Sequence, residues 1–375
     1  MKLISASILS GAGCALLLFA AGCADTSEPV RLGVALSLQE EGIKPSRYAA
    51  ELAASEINAA GGVGGRPVEL VFRDDFGNSD SAVAVANALY DSDVSAVVGP
   101  AYSSMTLASA PVYNGGRRPL VQLSPSASSP LVSTAGDFTF RICPSDLAYG
   151  AALAGFAVDH GFLRAAVIYV NDAYGRGVRQ TFAAEYSRLG GEIIELDPFL
   201  AASPDVGVYL LRIAREKKAQ AIILAANQGE GLKVLAQIRA AKLNLPILGG
   251  DGMSGAERTN PALTEGMFVS SGYLVGDPSP LNRKFVAAYE KMFPRAGPPD
   301  QGAAASYDAV NLLAKVVKSV GSDRAAVRNA LARIGTTDSA YQGVVGRVAF
   351  DSLGDVPELK VRIGLARGGI LVPAQ

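Results

Sequence analysis

Serine is the residue type whose spacing here could do chemistry. In Gly99-Pro100-Ala101-Tyr102-Ser103-Ser104, two serines follow the mostly apolar run Val94–Val98, which Gly99-Pro100 breaks. Met105–Val112 is again mostly apolar, so Ser103 and Ser104 stand where a helix N-cap would. The device then repeats. Pro119–Leu123 is a second apolar run, and it ends in Ser124-Pro125-Ser126-Ala127-Ser128-Ser129-Pro130. If the two runs are neighbouring parallel strands, hydroxyls and free backbone N–H groups gather at their C-terminal ends. That edge is where open α/β sheets bind ligands. A helix N-terminus dressed with hydroxyls suits a carboxylate or another small anion. The alternative is that these serines only cap helices and shape turns.

The elements needed to hold the loops are written along the chain. Arg31–Ser37 alternates as a first strand, and Ser46–Ala60 carries Tyr48, Leu52, Ala53, Ile57 and Ala60 on one helical face. Gly61-Gly62-Val63-Gly64-Gly65 stops that helix; it lacks GxGxxG spacing and reads as a C-cap and turn. Val68–Phe72 is a strand ended by Asp74-Asp75, and Ser81–Tyr90 is a helix. With the serine-bearing runs this makes β-α-β-α-β-α-β, a doubly wound unit. Phe138–Ile142 is a further strand and a crossing point, after which the pattern restarts. Helices at Leu147–Val158, Tyr174–Leu189, Val206–Glu216 and Glu230–Ala241 alternate with strands at Ala165–Val170, Glu192–Glu195, Ala221–Leu224 and Ile247–Gly249. Beyond Met267–Ser270, helices near Asn282–Met292, Ala303–Val320 and Arg324–Ile334 lead to short strands near Val344–Phe350, Leu359–Ala366 and Ile370–Val372. The expected fold is α/β, with two doubly wound parallel-sheet lobes and a ligand cleft between them. Residues 31–143 with 272–350 would form the N-terminal lobe, and 144–271 with 351–375 the C-terminal lobe.

Length and composition agree with two domains: 375 residues, 49% of them hydrophobic. Lys+Arg 34 against Asp+Glu 35 leaves a net charge of -1, with no basic tract, which speaks against nucleic acid as a partner. Met1–Phe19 has one early cation, Lys2, then an apolar run that closes in Ala20-Ala21-Gly22-Cys23. This is the form of a secretory signal, residues 1–22. Small residues directly before a cysteine resemble a bacterial lipoprotein cleavage site, with Cys23 as the lipidated first residue and 23–30 as a tether. An ordinary signal peptide with an incidental cysteine is the alternative. Cys14 would be removed, which leaves Cys143 without an intrachain partner.

Enzyme signatures are missing from the sequence. His160 is the single histidine, there is no GxSxG elbow, and there is no GxxxxGK[ST] loop. Gly249-Gly250-Asp251-Gly252 follows a strand, but its acid would face an anion placed there. Asp74-Asp75 fits a strand-end turn better than a metal pair.

Several short stretches together carry a resemblance. Glu56-Ile57-Asn58-Ala59-Ala60-Gly61-Gly62-Val63, Ala84-Val85-Ala86-Asn87, Val98-Gly99-Pro100, Tyr174-Gly175-Arg176-Gly177 and Ser306-Tyr307-Asp308-Ala309 occur in this order. With them the mature chain resembles type 1 periplasmic binding proteins of the leucine/isoleucine/valine-binding branch. The resemblance implies an exported binding protein, not an enzyme, that is monomeric, needs no cofactor and hands a small-molecule ligand to an ABC permease. It implies that Ser103 holds a ligand α-carboxylate. Ser126, Ala127 and Ser128 would form the second contact loop, Ser126 through backbone groups and Ser128 through hydroxyl and N–H. Tyr174 would close over the ligand, and Asp251 would take the α-ammonium. Asn227 stands where branched-chain binders have a tyrosine, Tyr102 and Gly77 stand where some relatives have a disulfide, and the loop Gln39–Ser46 departs from the usual Gly-rich turn. Serines for an anion and an acid for a cation suit an amino-acid zwitterion whose side chain is left open. A sensor of the same fold for amides, ureas or small organic acids, acting on a signalling partner, is the second function that fits.

Overall fold

The computed structural model describes residues 28–216 and 218–374; Cys23 and the expected leader lie outside the described residues, as does the tether up to residue 27. Strands and helices alternate from the first described turn. The chain runs β1 (Val30–Leu36), α1 (Lys44–Ala59), β2 (Val68–Asp74), α2 (Ser79–Tyr90), β3 (Val97–Val98), α3 (Ser103–Asn114), β4 (Gln122–Ser124) and β5 (Thr139–Arg141). It continues with α4 (Asp146–Asp159), β6 (Arg164–Val170), α5 (Ala173–Arg188), β7 (Glu192–Phe199), α6 (Gly207–Glu216), β8 (Ala221–Ala225), α7 (Gln228–Ala240) and β9 (Ile247–Gly249). Two short helices, α8 (Ala256–Thr259) and α9 (Pro261–Thr264), precede β10 (Phe268–Ser271). Then come α10 (Pro280–Met292), α11 (Gln301–Val320), α12 (Arg324–Arg333), β11 (Tyr341–Gln342), β12 (Arg347–Val348), β13 (Arg362–Arg367) and β14 (Ile370–Pro373).

The first sheet is parallel with strand order β2-β1-β3-β4-β5. The second runs β14-β13-β10-β9-β8-β6-β7. Counted from β6, its parallel part has the same order as the first sheet; β13 and β14 are added antiparallel beyond β10. In each lobe the winding reverses between the first and third strands, and a crevice opens at that switch point. Helices cover both faces of the sheets, so the central strands are mostly apolar. β8 reads Ala-Ile-Ile-Leu-Ala and is buried along its whole length.

Each lobe has its own core. One joins Val34, Val98, Leu123 and Ile142 to Leu312, Leu313 and Phe350; the other joins Val167, Ile168, Ile222 and Leu224 to Phe182, Leu235 and Val269. Val356 and Leu359 belong to the first core, so residues 351–359 pack with the N-terminal lobe and the chain enters the other sheet at β13. The expected strand Val344–Phe350 is a small antiparallel ribbon of β11 and β12, outside both large sheets.

The third strand ends at a tight place. Gly99 has φ +108°, and a Cβ there would lie 2.0 Å from the carbonyl oxygen of Ala35 on β1. Only glycine lets β3 lie this close to β1 and still turn into α3. Gly99→Ala is therefore expected to destabilise by at least about 1–3 kcal/mol from backbone strain alone. The urea midpoint should fall at an unchanged m-value; an unchanged midpoint would show that the turn relaxes freely.

Candidate functional site

The two serine loops are laced to one another by their own side chains. Ser124 Oγ donates to the Pro100 carbonyl at 2.6 Å, and Thr106 Oγ1 donates to the same oxygen at 3.1 Å. Ser126 Oγ donates to the Ala101 carbonyl at 2.9 Å. Ser129 N donates to Ser103 Oγ at 3.1 Å. The hydroxyl of Ser103 is thus an acceptor towards its own lobe, and its proton remains to be given elsewhere. Beneath the second loop lies Arg141, fully buried. Its guanidinium donates to the carbonyls of Ser128 and Ser129 at 2.9 and 3.0 Å, and pairs with Asp355 at 2.7 Å. Those bonds fix the loop backbone from below.

Ser103 and Ser104 do not cap α3. Tyr102 holds the N-cap position, no side chain caps the helix, and the serines are its first two residues. The N–H groups of that first turn therefore have no helical acceptor. Ser104 Oγ reaches the other lobe instead, accepting from Ala173 N at 3.3 Å. Tyr102 OH donates to Glu40 at 2.6 Å and ties the loop after β1 to the start of α3. Asp74 and Asp75 shape the neighbouring turn, accepting from the backbone N–H groups of Phe76 and Gly77.

The loops after β1, β3, β4, β6, β8 and β9 and the start of α11 converge on one cavity of about 60 Å³ between the lobes. Its walls include Ser103, Ser126, Tyr174, Asn227 and Asp251, five of the seven residues proposed from sequence for the ligand. Ala127 and Ser128 lie behind that wall, fully buried. Ser128 faces inward because its loop turns under Ser126: its carbonyl accepts from Asp146 N at 2.8 Å. Its hydroxyl is turned to the carboxyls of Asp146 and Asp251, whose charged forms it favours.

Tyr174 sits in the first turn of α5, which Asp172 caps through Gly175 N at 2.8 Å. The Tyr174 hydroxyl accepts from Gly252 N at 2.8 Å and lies against Asp251. That contact needs glycine on both sides of the acid: a Cβ on Gly250 or Gly252 would come within 2.6 or 2.9 Å of the Tyr174 hydroxyl. Asn227 precedes α7, and its side-chain amide donates to Glu230 at 2.9 Å.

Asp146 was not legible as a site residue. An acid in the first turn after Ser145 looks like ordinary helix capping, and Ser145 is the N-cap of α4. Yet Asp146 is fully buried, and among the described residues neither of its carboxyl oxygens has a hydrogen-bond partner and it forms no ion pair. Gly177 makes room for it, since a Cβ there would lie 2.2 Å from Asp146 Oδ2. Arg141 did leave a signal: it is a lone cation inside Phe140-Arg141-Ile142-Cys143. Gly42, Ile43 and Ser46 belong to the loop Gln39–Ser46, which the resemblance had set beside the ligand's side chain; Gln228, Ser254, Asp300, Gln301 and Gly302 come from segments that sequence spacing could not bring together. Among the described residues no group of three metal-ligating side chains occurs, and no helix is long and apolar enough to cross a membrane.

Comparison with known proteins follows this geometry. The family model described as periplasmic binding protein matches residues 32–361. The chain is similar to an amino acid binding protein of Pseudomonas aeruginosa, 28% identical over 321 residues that span 82% of this chain and 81% of that one. A leucine-, isoleucine-, valine-, threonine-, and alanine-binding protein of the same organism is 25% identical over 315 residues, 83% and 82% of the two chains. The structure is similar to the branched-chain amino acid transporter substrate binding protein LivJ of Streptococcus pneumoniae in complex with isoleucine. That match has a TM-score of 0.82 and 25% identity, and covers 92% of this chain and 99% of the other.

Burial raises the pKa of both Asp146 and Asp251, and the charge of Asp251 raises Asp146 further. A carboxyl raised by folding binds more protons folded than unfolded, from its unfolded value of about 3.9 upwards. Stability of the ligand-free protein must therefore fall as pH rises through that window. Asp251→Asn is expected to raise the melting temperature of ligand-free protein at pH 8 and to leave it unchanged at pH 3. A lower melting temperature at pH 8 would show that the Asp251 carboxylate stabilises the fold.

Proposed function

The chain belongs to the periplasmic binding protein family, and on that premise we propose that it captures a small α-amino acid between its lobes for an ABC permease. One observation carries the reading: unpartnered N–H groups and the Ser103 hydroxyl on one lobe share a small cavity with an unpaired buried acid on the other. A ligand that satisfies both ends carries a carboxylate and an ammonium. Ser103 gives its proton and the first turn of α3 its N–H groups to the carboxylate. Ser126 offers backbone groups at the rim. Asp251 takes the ammonium, with Asp146 and the Ser128 hydroxyl behind it. Tyr174 closes the cavity, and Asn227 borders it. Relatives named for amino-acid binding support the choice of ligand class.

The same reading makes the protein an extracytoplasmic monomer tethered through a lipidated Cys23. Changing Cys23→Ser should release it from membranes into the soluble extracytoplasmic fraction, and mass spectrometry should find an acylated Cys23 in the parent protein. An unmodified N-terminus at another residue would rule the anchor out.

The ammonium is the part of the ligand that separates this reading from a sensor of amides or simple acids. Breaking a buried ion pair typically costs about 3–5 kcal/mol, roughly two to four decades in Kd. By calorimetry, Asp251→Asn should weaken the best amino acid on that scale and leave its desamino analogue nearly unaffected. Equal losses for the two compounds would favour the sensor.

A further inference from the structure

With carboxylate and ammonium assigned as above, the ligand's side chain has only the remaining walls to meet. These are Gly42, Ile43, Ser46, Ala101, Tyr102, Gln228, Gly252, Ser254 and the segment Asp300–Gly302. Beyond the Ala101 methyl, Ile43 is the one aliphatic side chain among them. We propose that this pocket selects a short, uncharged side chain carrying a hydroxyl or carboxamide, and disfavours an aliphatic one; the proposal rests on the amino-acid reading.

Two buried polar groups at the pocket carry the argument. Ser46, on α1, is 2% exposed, and its hydroxyl has no hydrogen-bond partner among the described residues. Gln301 opens α11 and is 5% exposed. Its Oε1 accepts from Tyr149 OH at 3.0 Å, Ser271 Oγ at 3.2 Å and Gly272 N, which fixes the amide. Its Nε2, with two protons to give, has no partner among the described residues. Gly302, the residue after Gln301, lies against Ser46: a Cβ there would come within 2.7 Å of Ser46 Oγ. Packing of α1 on α11 thus brings both residues to the wall of the cavity.

Charge narrows the class. No lysine or arginine lines the cavity, so an acidic side chain finds no counter-ion. Asp300 is already taken, with Arg258 at 2.8 Å on one oxygen and Ala303 N at 2.9 Å on the other, so a basic side chain finds no unpaired acid there. Size narrows it further: the enclosed space is small, about 60 Å³, which favours a short side chain over a long one. An aliphatic side chain in this space would bury the Ser46 hydroxyl and the Gln301 amide without partners.

Threonine and valine have the same shape and differ by hydroxyl against methyl, so they form the test pair. In calorimetry with the full mature chain, threonine should bind about tenfold or more tighter than valine. Serine should bind tighter than alanine, and leucine and isoleucine more weakly than any of the hydroxyl or amide amino acids. Ser46→Ala should shrink the threonine-to-valine ratio towards one by weakening threonine, with valine unchanged. Gln301→Glu keeps the acceptor that holds Tyr149 and removes the donor; it should weaken asparagine or threonine and spare glycine. Valine, leucine or isoleucine binding as tightly as threonine would overturn the pocket assignment and leave the amino-acid function standing. Failure of every amino acid in the panel to bind would overturn both.

Discussion

Two carboxyl groups buried together at the seam between the lobes set the condition that the rest of the cleft has to meet. Asp251 belongs to the second lobe, and Asp146 begins the first helix after the crossing from β5. Among the described residues neither has a cation at ion-pair distance, and Arg141, whose charge acts on Asp146, is committed to Asp355 and the serine loop. Like charges removed from water repel strongly, so such a pair is tolerable only if it holds a proton or meets a cation. A closed cleft makes the repulsion worst, because closure excludes the water that would screen it. An ammonium between the lobes relieves it. The ligand's positive end would then favour the closed arrangement over an open one, which is what a ligand-driven shift between two states requires.

The negative end of the ligand is met by different physics. No basic side chain lines the cavity, so the anion has to be held by dipoles. The start of α3 supplies them, because Tyr102 at the N-cap position offers no side-chain acceptor to the first-turn N–H groups. A serine, threonine or aspartate there would have satisfied those donors internally. Tyr102 instead sends its hydroxyl to Glu40 and fastens the loop after β1. A good cap for helix stability is thus absent at the helix end assigned to the ligand carboxylate.

The architecture was largely legible and the chemistry only partly so. Both doubly wound units could be read because their strands are short apolar runs bounded by Gly, Pro, Asp and Ser, and because β6 to β10 repeat the order of β1 to β5. Ser103, Ser126, Tyr174, Asn227 and Asp251 follow strand ends, so the winding rule brings them to one edge. Ser128 carries the same signal but faces inward, and the difference lies in one backbone bond from Asp146 that no spacing encodes. The capping role expected of Ser103 failed because helix starts are set by the turn before them, here Gly99-Pro100, and the helix began sooner. Asp146 and Ser46 were hidden by being ordinary: an acid after a helix N-cap and a serine in a first turn are both commonplace.

What could not be read is also what differs most between binding proteins of one fold. The groups assigned to the ligand backbone lie on loops that leave the strands at the two switch points, where the sheets themselves fix direction and spacing. The two polar groups assigned to the side chain come from α1 and α11, helices from distant parts of the chain that pack together on the first lobe. Substitution at Ser46 touches no strand end, and Gln301→Glu keeps the oxygen that holds the end of β10, whereas a change at Gly99 or Gly252 alters the approach of backbone to backbone or to Tyr174. Recognition of an α-amino acid and choice among amino acids therefore reside on separate elements with separate structural costs. That separation lets side-chain preference change one helix residue at a time, without disturbing the groups that hold the zwitterion.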